Sequence, residues 1–289
     1  MTLFSVLFLL YIYWQPLDSE IWIQNLAAPA QEFCKNLLTF NSIHLNFYRA
    51  LSCGTPVADR HYEVLKTVSL WHLVVVSAGH FKIIQWLLQR MIPRPSMLHL
   101  PILFVYCLMT GAQAPIIRAF FELLIGALSS RAKLWIPSGY SLLYSGCLCL
   151  ILFPGWSQSW SLLLCWLCAV ITRLFYNQGS LMSSIGIAIG VFPIMSLFST
   201  PHPLSFLFNL VLAPVLSIFL FPLSLLMVIV PQAHFIADPC LDFLLQILKN
   251  LTSSFKPSLS FFKSSNQFIM FCWFYLFFFQ LVLIFRRKE

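Results

Sequence analysis

Along this chain, long apolar runs alternate with short polar turns. Runs of spanning or near-spanning length fall near 67–89, 97–112, 114–130, 135–153, 158–176, 181–199, 203–230 and 267–285. A helix needs about 20 residues to cross the hydrocarbon of a bilayer, so 97–112 and 114–130 are each short. They predict a helical hairpin or a broken pair around Thr110-Gly111-Ala112. Backbone freed at such a break must be buried in protein or face a water-filled cavity. The run 203–230 is too long for one straight span and holds Pro214 and Pro222, which predict a kink or a re-entrant turn. Met1 to Trp14 is also apolar, with no basic n-region and no small-residue cleavage site, and predicts an uncleaved first anchor.

Two stretches break this pattern. Residues 15–66 are the most water-like part of the chain, with Asp18, Glu20, Glu32, Asp59 and Glu63 set against Lys35, Arg49 and Arg60. They read as a loop region on the non-cytoplasmic side. Within 231–266, the segment Leu241 to Lys249 alternates at roughly helical period, predicting an amphipathic helix lying on the membrane. A polar connection from Ser253 to Ser265 follows it. The expected organisation is an anchor over 1–14, the loop region 15–66, a main membrane domain 67–230, the amphipathic helix and connection 231–266, and a last membrane helix with a basic tail over 267–289. The fold class is all-α: a polytopic transmembrane helical bundle with broken or re-entrant helices and about 7–9 membrane segments.

Composition narrows the choice of solvent. The 289 residues are 60% apolar and 9% charged, with 29 Phe and a mean hydropathy of +0.85. A soluble domain carries about 25% charged residues, and a chain of this length could not hide so much apolar surface from water. Cytosolic enzymes, secreted disulfide scaffolds and disordered chains are excluded. The formal charge of +8, from 17 Lys+Arg against 9 Asp+Glu, fits basic turns on the cytoplasmic side. Those turns hold Arg90 and Arg94, Arg131 and Lys133, Arg173, and Arg286-Arg287-Lys288. All face inward if 203–230 crosses twice or re-enters. Most of the nine cysteines sit in apolar runs, and Cys165-x-x-Cys168 reads as buried small hydrophobes, with no metal site and no cofactor implied.

Ionisable groups inside apolar runs are the informative exceptions, because each costs about 2.5–3.5 kcal/mol at bilayer depth. His72, Ser77, His80 and Lys82 form the first cluster. On one helix His72 and His80 lie about 80° apart with Ser77 on the same side. They either line a polar face or hydrogen-bond to neighbouring helices. Two histidines eight apart do not make a helical zinc pair, and no serine elbow accompanies Ser77. The second cluster runs from Thr110 to Glu122. Pro115 suits a helix start after Gly111, and Arg118 stands one turn before Glu122. Arg118 either pairs internally with Glu122 or adds a cation to a helix N-terminus that favours anions. The third is Asn209 beside Pro214 and Pro222, a weak signal alone.

Together these residues resemble a family. His72 followed by Ser77-Ala78-Gly79-His80 is similar to the H-x4-S-G-L-H signature of ComEC-type competence proteins, with the glycine displaced one place to Gly79. Ala50-Leu51-Ser52-Cys53-Gly54 is similar to their A-L-L-x-G element. Thr110 to Ala119 resembles their T-G-x-x-x-S/P-x-x-R-A motif, and Asn209-Leu210 with Pro214 and Pro222 their late N-L-x-x-x-P segment. Four elements in order over roughly 48–230 make the match specific.

The resemblance implies a membrane channel domain of the bacterial inner membrane that admits single-stranded DNA during natural transformation. It implies pore or core positions for His72, Ser77, His80, Arg118 and Asn209. It also implies a short form: residues 15–48 are too few for the family's external OB-fold, and nothing after 230 carries the metal motif of its metallo-β-lactamase-type domain. No catalytic residue is expected here. Beyond DNA and lipid, the partners would be a separate DNA receptor, a nuclease and a cytoplasmic translocase, with homo-oligomerisation left open. Lys82 and Glu122 join the candidate path, Gly54, Gly79, Gly111, Pro115, Pro214 and Pro222 the helix breaks and close contacts, and Arg90, Arg94, Arg131 and Lys133 the cytoplasmic mouth. The alternatives are a secondary transporter of a small anion or a lipid-handling membrane protein, then an intramembrane hydrolase, then a purely structural subunit.

Overall fold

The computed structural model describes residues 21–57, 65, 78–92, 98–198, 211–212, 215–253 and 266–286. The first anchor, His72, Ser77, Arg94, Asn209, Pro214 and the Ser254–Ser265 part of the polar connection lie outside the described residues. All regular structure among the described residues is helical, which meets the all-α expectation. No helix among them is both long and apolar enough to cross a membrane.

Eleven helices of nine or more residues are described: α1 (Ile21–Leu37), α2 (Leu45–Cys53), α3 (Ala78–Met91), α4 (His99–Met109), α5 (Ala114–Arg131), α6 (Ser138–Leu152), α7 (Trp160–Leu174), α8 (Ser180–Phe198), α9 (Phe221–Ile229), α10 (His234–Ser253) and α11 (Asn266–Arg286). The chain divides into two compact units. The first takes in 1–24, 114–194 and 263–289, and the second 25–113 and 195–262.

In the first unit, α5 packs on α6, and α7 lies against α5, α6 and α11. Trp166 is its centre. The indole Nε1 donates to Gln280 Oε1 at 3.2 Å, and Gln280 Nε2 donates to the Gly139 carbonyl at 2.8 Å. One buried amide thereby ties α7, α11 and α6 together, since each polar group in an apolar interior needs a partner. Trp273 and Phe277 stand edge-on to the same indole, with centroids 5.9 Å away. Gly146 is required beside it, because a Cβ there would enter the indole ring.

In the second unit, the water-like stretch is helical over α1 and α2 and stapled by a disulfide between Cys34 and Cys53. Helix α9 packs on α2 and α10, and α3 on α4. Pro222 sits in the first turn of α9, a position that needs no N–H donor, after a π-helical turn over Val215–Leu220. That turn accounts for part of the overlong run 203–230.

Outer faces are apolar. On α11 the exposed side chains are Phe271, Phe274, Phe278, Val282 and Phe285, a stripe at helical spacing. On α10 they include Phe235, Ile236, Phe243 and Ile247.

Candidate functional site

The first unit holds the ionic cluster. Helix α5 is buried on every side over Ala114 to Phe120, so Arg118 projects into the bundle and is 0% exposed. Its Nη1 donates to Glu122 Oε2 at 3.1 Å, one turn further along α5. The other Glu122 oxygen accepts a short hydrogen bond from Arg173 Nη2 on α7. One carboxylate therefore bridges two guanidinium groups from two helices. Nη2 of Arg118 reaches the Cys165 sulfur at 3.9 Å, and its Nε has no hydrogen-bond partner among the described residues. The sequence-predicted pair Arg118–Glu122 forms. Arg173, read as a basic turn residue, joins it from 51 positions away.

The second unit holds the remaining placed candidates. His80 is fully buried and stacks on Phe221, ring centroids 4.3 Å apart. Lys82 is exposed on α3, as is Gly79. Arg90 is exposed and lies over the Trp86 ring, 5.2 Å from its centroid. The Arg118 cluster and His80 belong to different compact units. Arg131 and Lys133 are exposed in the turn after α5, where Lys133 takes a left-handed φ of 54°.

Two motif glycines meet in the second unit. Gly54 caps α2 in the left-handed conformation, φ 67°, and its carbonyl accepts from Gln113 Nε2 at 2.6 Å. A Cβ on Gly54 would lie 2.5 Å from the Thr110 carbonyl oxygen, so only glycine fits. Gly111 closes α4 with φ 73°: its N–H bonds the Leu108 carbonyl and the Ala112 N–H the Cys107 carbonyl. A Cβ on Gly111 would meet Gln31 Nε2 at 2.6 Å. Gln31 in turn donates to the Cys53 carbonyl at 3.0 Å. The expected break at Thr110-Gly111-Ala112 is thus a glycine-capped turn latched to the disulfide region, and Pro115 falls in the first turn of α5.

Sequence reasoning missed how α10 is held. Asp238 accepts from Ser42 Oγ and from Tyr48 OH, each at 2.8 Å. Asp242 Oδ1 lies 2.9 Å from His44 Nε2, and His234 stacks on Phe40 with centroids 5.1 Å apart. Burial first, and then the Asp238 carboxylate, push the Tyr48 hydroxyl above its usual range, so it stays a donor. The available signal was three polar residues spaced by four on the otherwise apolar-buried helix.

A family model described as "Competence protein" matches residues 55–288. A curated relative from Aquifex aeolicus (strain VF5), described as an uncharacterized protein, is 29% identical over 187 residues, covering 57% of this chain and 45% of the relative. The matched stretch is therefore less than half of that relative's length. No solved structure matches this chain.

Proposed function

The chain belongs to the competence protein family, and from that we propose that it forms a membrane-embedded part of the path by which single-stranded DNA enters a bacterial cell. The observation that carries the reading is Arg118: a fully buried guanidinium on a shared carboxylate, within helices whose outer faces are apolar. In water the arrangement would be inside out, with Phe outward and charge inward. In a bilayer it is the stable one, because lipid accepts the Phe stripe of α11 and polar groups must find partners inside.

Single-stranded DNA carries a charge per nucleotide and needs cations along its route and flat faces to stack on. Arg118 with Arg173, and separately Lys82, Arg90 and the aromatic side chains around His80, supply such groups in this reading. The basic turns Arg131–Lys133 favour exit toward the side they occupy.

Deleting the gene and measuring natural transformation, with surface DNA binding scored separately, tests the proposal. Loss of transformation with binding kept is the expected result, and unchanged transformation would remove it. A small-anion carrier is the second reading, favoured by the compact Arg118–Glu122–Arg173 cluster. Uptake of radiolabelled DNA by whole cells separates the two, since such a carrier cannot pass a polymer.

A further inference from the structure

The donors of Arg118 are used unevenly. Nη1 bonds Glu122 end-on. The opposite edge of the guanidinium plane, Nε with Nη2, presents two parallel N–H groups whose spacing matches two oxygens of one carboxylate or phosphate. On this edge Nη2 faces only a long contact to sulfur, a weak acceptor, and Nε has no hydrogen-bond partner among the described residues. Glu122 cannot turn to serve it, because its second oxygen is held by Arg173. A charged donor left idle in an apolar interior is costly, so the edge is built for an acceptor that comes from outside. Cys165, beside it, is half-buried and marks the side from which a ligand would reach the edge.

We propose that the Nε/Nη2 edge of Arg118, beside the Cys165 thiol, binds one phosphodiester group through two of its oxygens, with Glu122 and Arg173 fixing the guanidinium. A phosphodiester brings two equivalent oxygens on one phosphorus and a single negative charge. Assigning it to the backbone of incoming DNA rests on the DNA-passage reading above. An anionic lipid headgroup offers the same chemistry.

Cys165 reports on the site, because a group held on the edge covers its sulfur. The full-length chain in nanodiscs of zwitterionic lipid is treated with N-ethylmaleimide, and modification at Cys165 is followed by peptide mass spectrometry. Thymidine oligonucleotide at about ten times its dissociation constant is expected to slow it about tenfold, because only the unoccupied fraction reacts. Inorganic phosphate and nanodiscs containing phosphatidylglycerol form the other two arms. Protection by oligonucleotide alone assigns DNA, protection by phosphatidylglycerol alone assigns the lipid, and protection by phosphate supports the same edge with a free anion. Arg118→Lys keeps the charge and loses the fork, so protection should vanish, while the exposed Cys240 in the other unit reacts unchanged. No protection in any arm overturns the proposal, as does equal protection in Arg118→Lys. If Cys165 reacts too slowly to follow, anisotropy of a labelled oligonucleotide serves instead: about tenfold weaker binding by Arg118→Lys supports the site, and equal binding overturns it. Lost transformation on gene deletion without protection keeps the transport reading and removes this site; protection with transformation intact does the reverse.

Discussion

Glu122 carries more of the first unit than either arginine it binds. Removing one partner of a buried ion pair leaves a charge stranded, at about 3–5 kcal/mol. Glu122→Gln takes the carboxylate away from two guanidinium groups at once, whereas Arg118→Gln leaves Glu122 still bonded to Arg173. Thermal unfolding of the purified chain should therefore show the larger loss for Glu122→Gln, and the double variant should lose less than the sum of the two, because the sites share a partner. A backbone counterpart lies at Gly54. Ala there must adopt a left-handed φ, costing about 1–2 kcal/mol, and must also clear the Thr110 carbonyl. Gly126 is the control: a Cβ at that helical position meets nothing within 4 Å, so Gly126→Ala should leave stability unchanged or raise it by up to about 1 kcal/mol.

Helix α10 shows how three ordinary polar residues become a docking edge. His234, Asp238 and Asp242 recur at one-turn intervals and meet Phe40, Ser42, Tyr48 and His44 in turn. Asp238 serves two hydroxyl donors, one of them on a buried Tyr, while the Asp242 side chain is 57% exposed. Asp238→Ala should cost more than Asp242→Ala. It removes the acceptor of two hydroxyl donors, at about 1–3 kcal/mol for the buried Tyr48, whereas the exposed Asp242 carboxylate serves one His44 nitrogen and is screened by water. Hydrogen exchange over 40–48 reads the difference as loosened protection in the first variant and little change in the second. Periodicity made the helix itself legible, as it made legible the break at Gly111 and the start of α5 at Pro115. Partners were not legible. A sequence gives the face a residue occupies, and nothing local to Arg173 announces Glu122, nor does anything near Asp238 announce Tyr48. Cys34 and Cys53 were within reach of the sequence, being the two cysteines of the water-like stretch, yet their pairing depends on α1 and α2 folding back on each other.

At the scale of the whole molecule, sidedness ties these pieces to the proposed membrane function. Disulfides persist in oxidising compartments, so in the proposed membrane reading Cys34–Cys53 falls on the non-cytoplasmic side. Closing its 19-residue separation stabilises the folded state by about 3 kcal/mol. Because α10 is bonded to residues 40–48 of the same unit, the same reading puts it on that side too. Its flank of Ile236, Cys240, Phe243 and Ile247 then meets lipid, while Gln246 and Lys249 meet water, as expected for a helix lying in an interface. In the proposed reading the run Arg286-Arg287-Lys288 falls in the cytoplasm by the positive-inside rule. The proposed orientation goes with the run 203–230 crossing twice or re-entering, as the basic turns also ask. Gln246 lies on the flank that meets water, so a membrane-impermeant maleimide applied to intact spheroplasts should label Gln246→Cys in a Cys240→Ser chain, and the Cys240→Ser chain alone should give no such signal at α10. A green fluorescent protein fused after residue 289 should fluoresce, while alkaline phosphatase at the same place should stay inactive. Labelling of Gln246→Cys only after lysis would place α10 in the cytoplasm, a compartment that would reduce the disulfide it rests on, and the proposed orientation would fall with it.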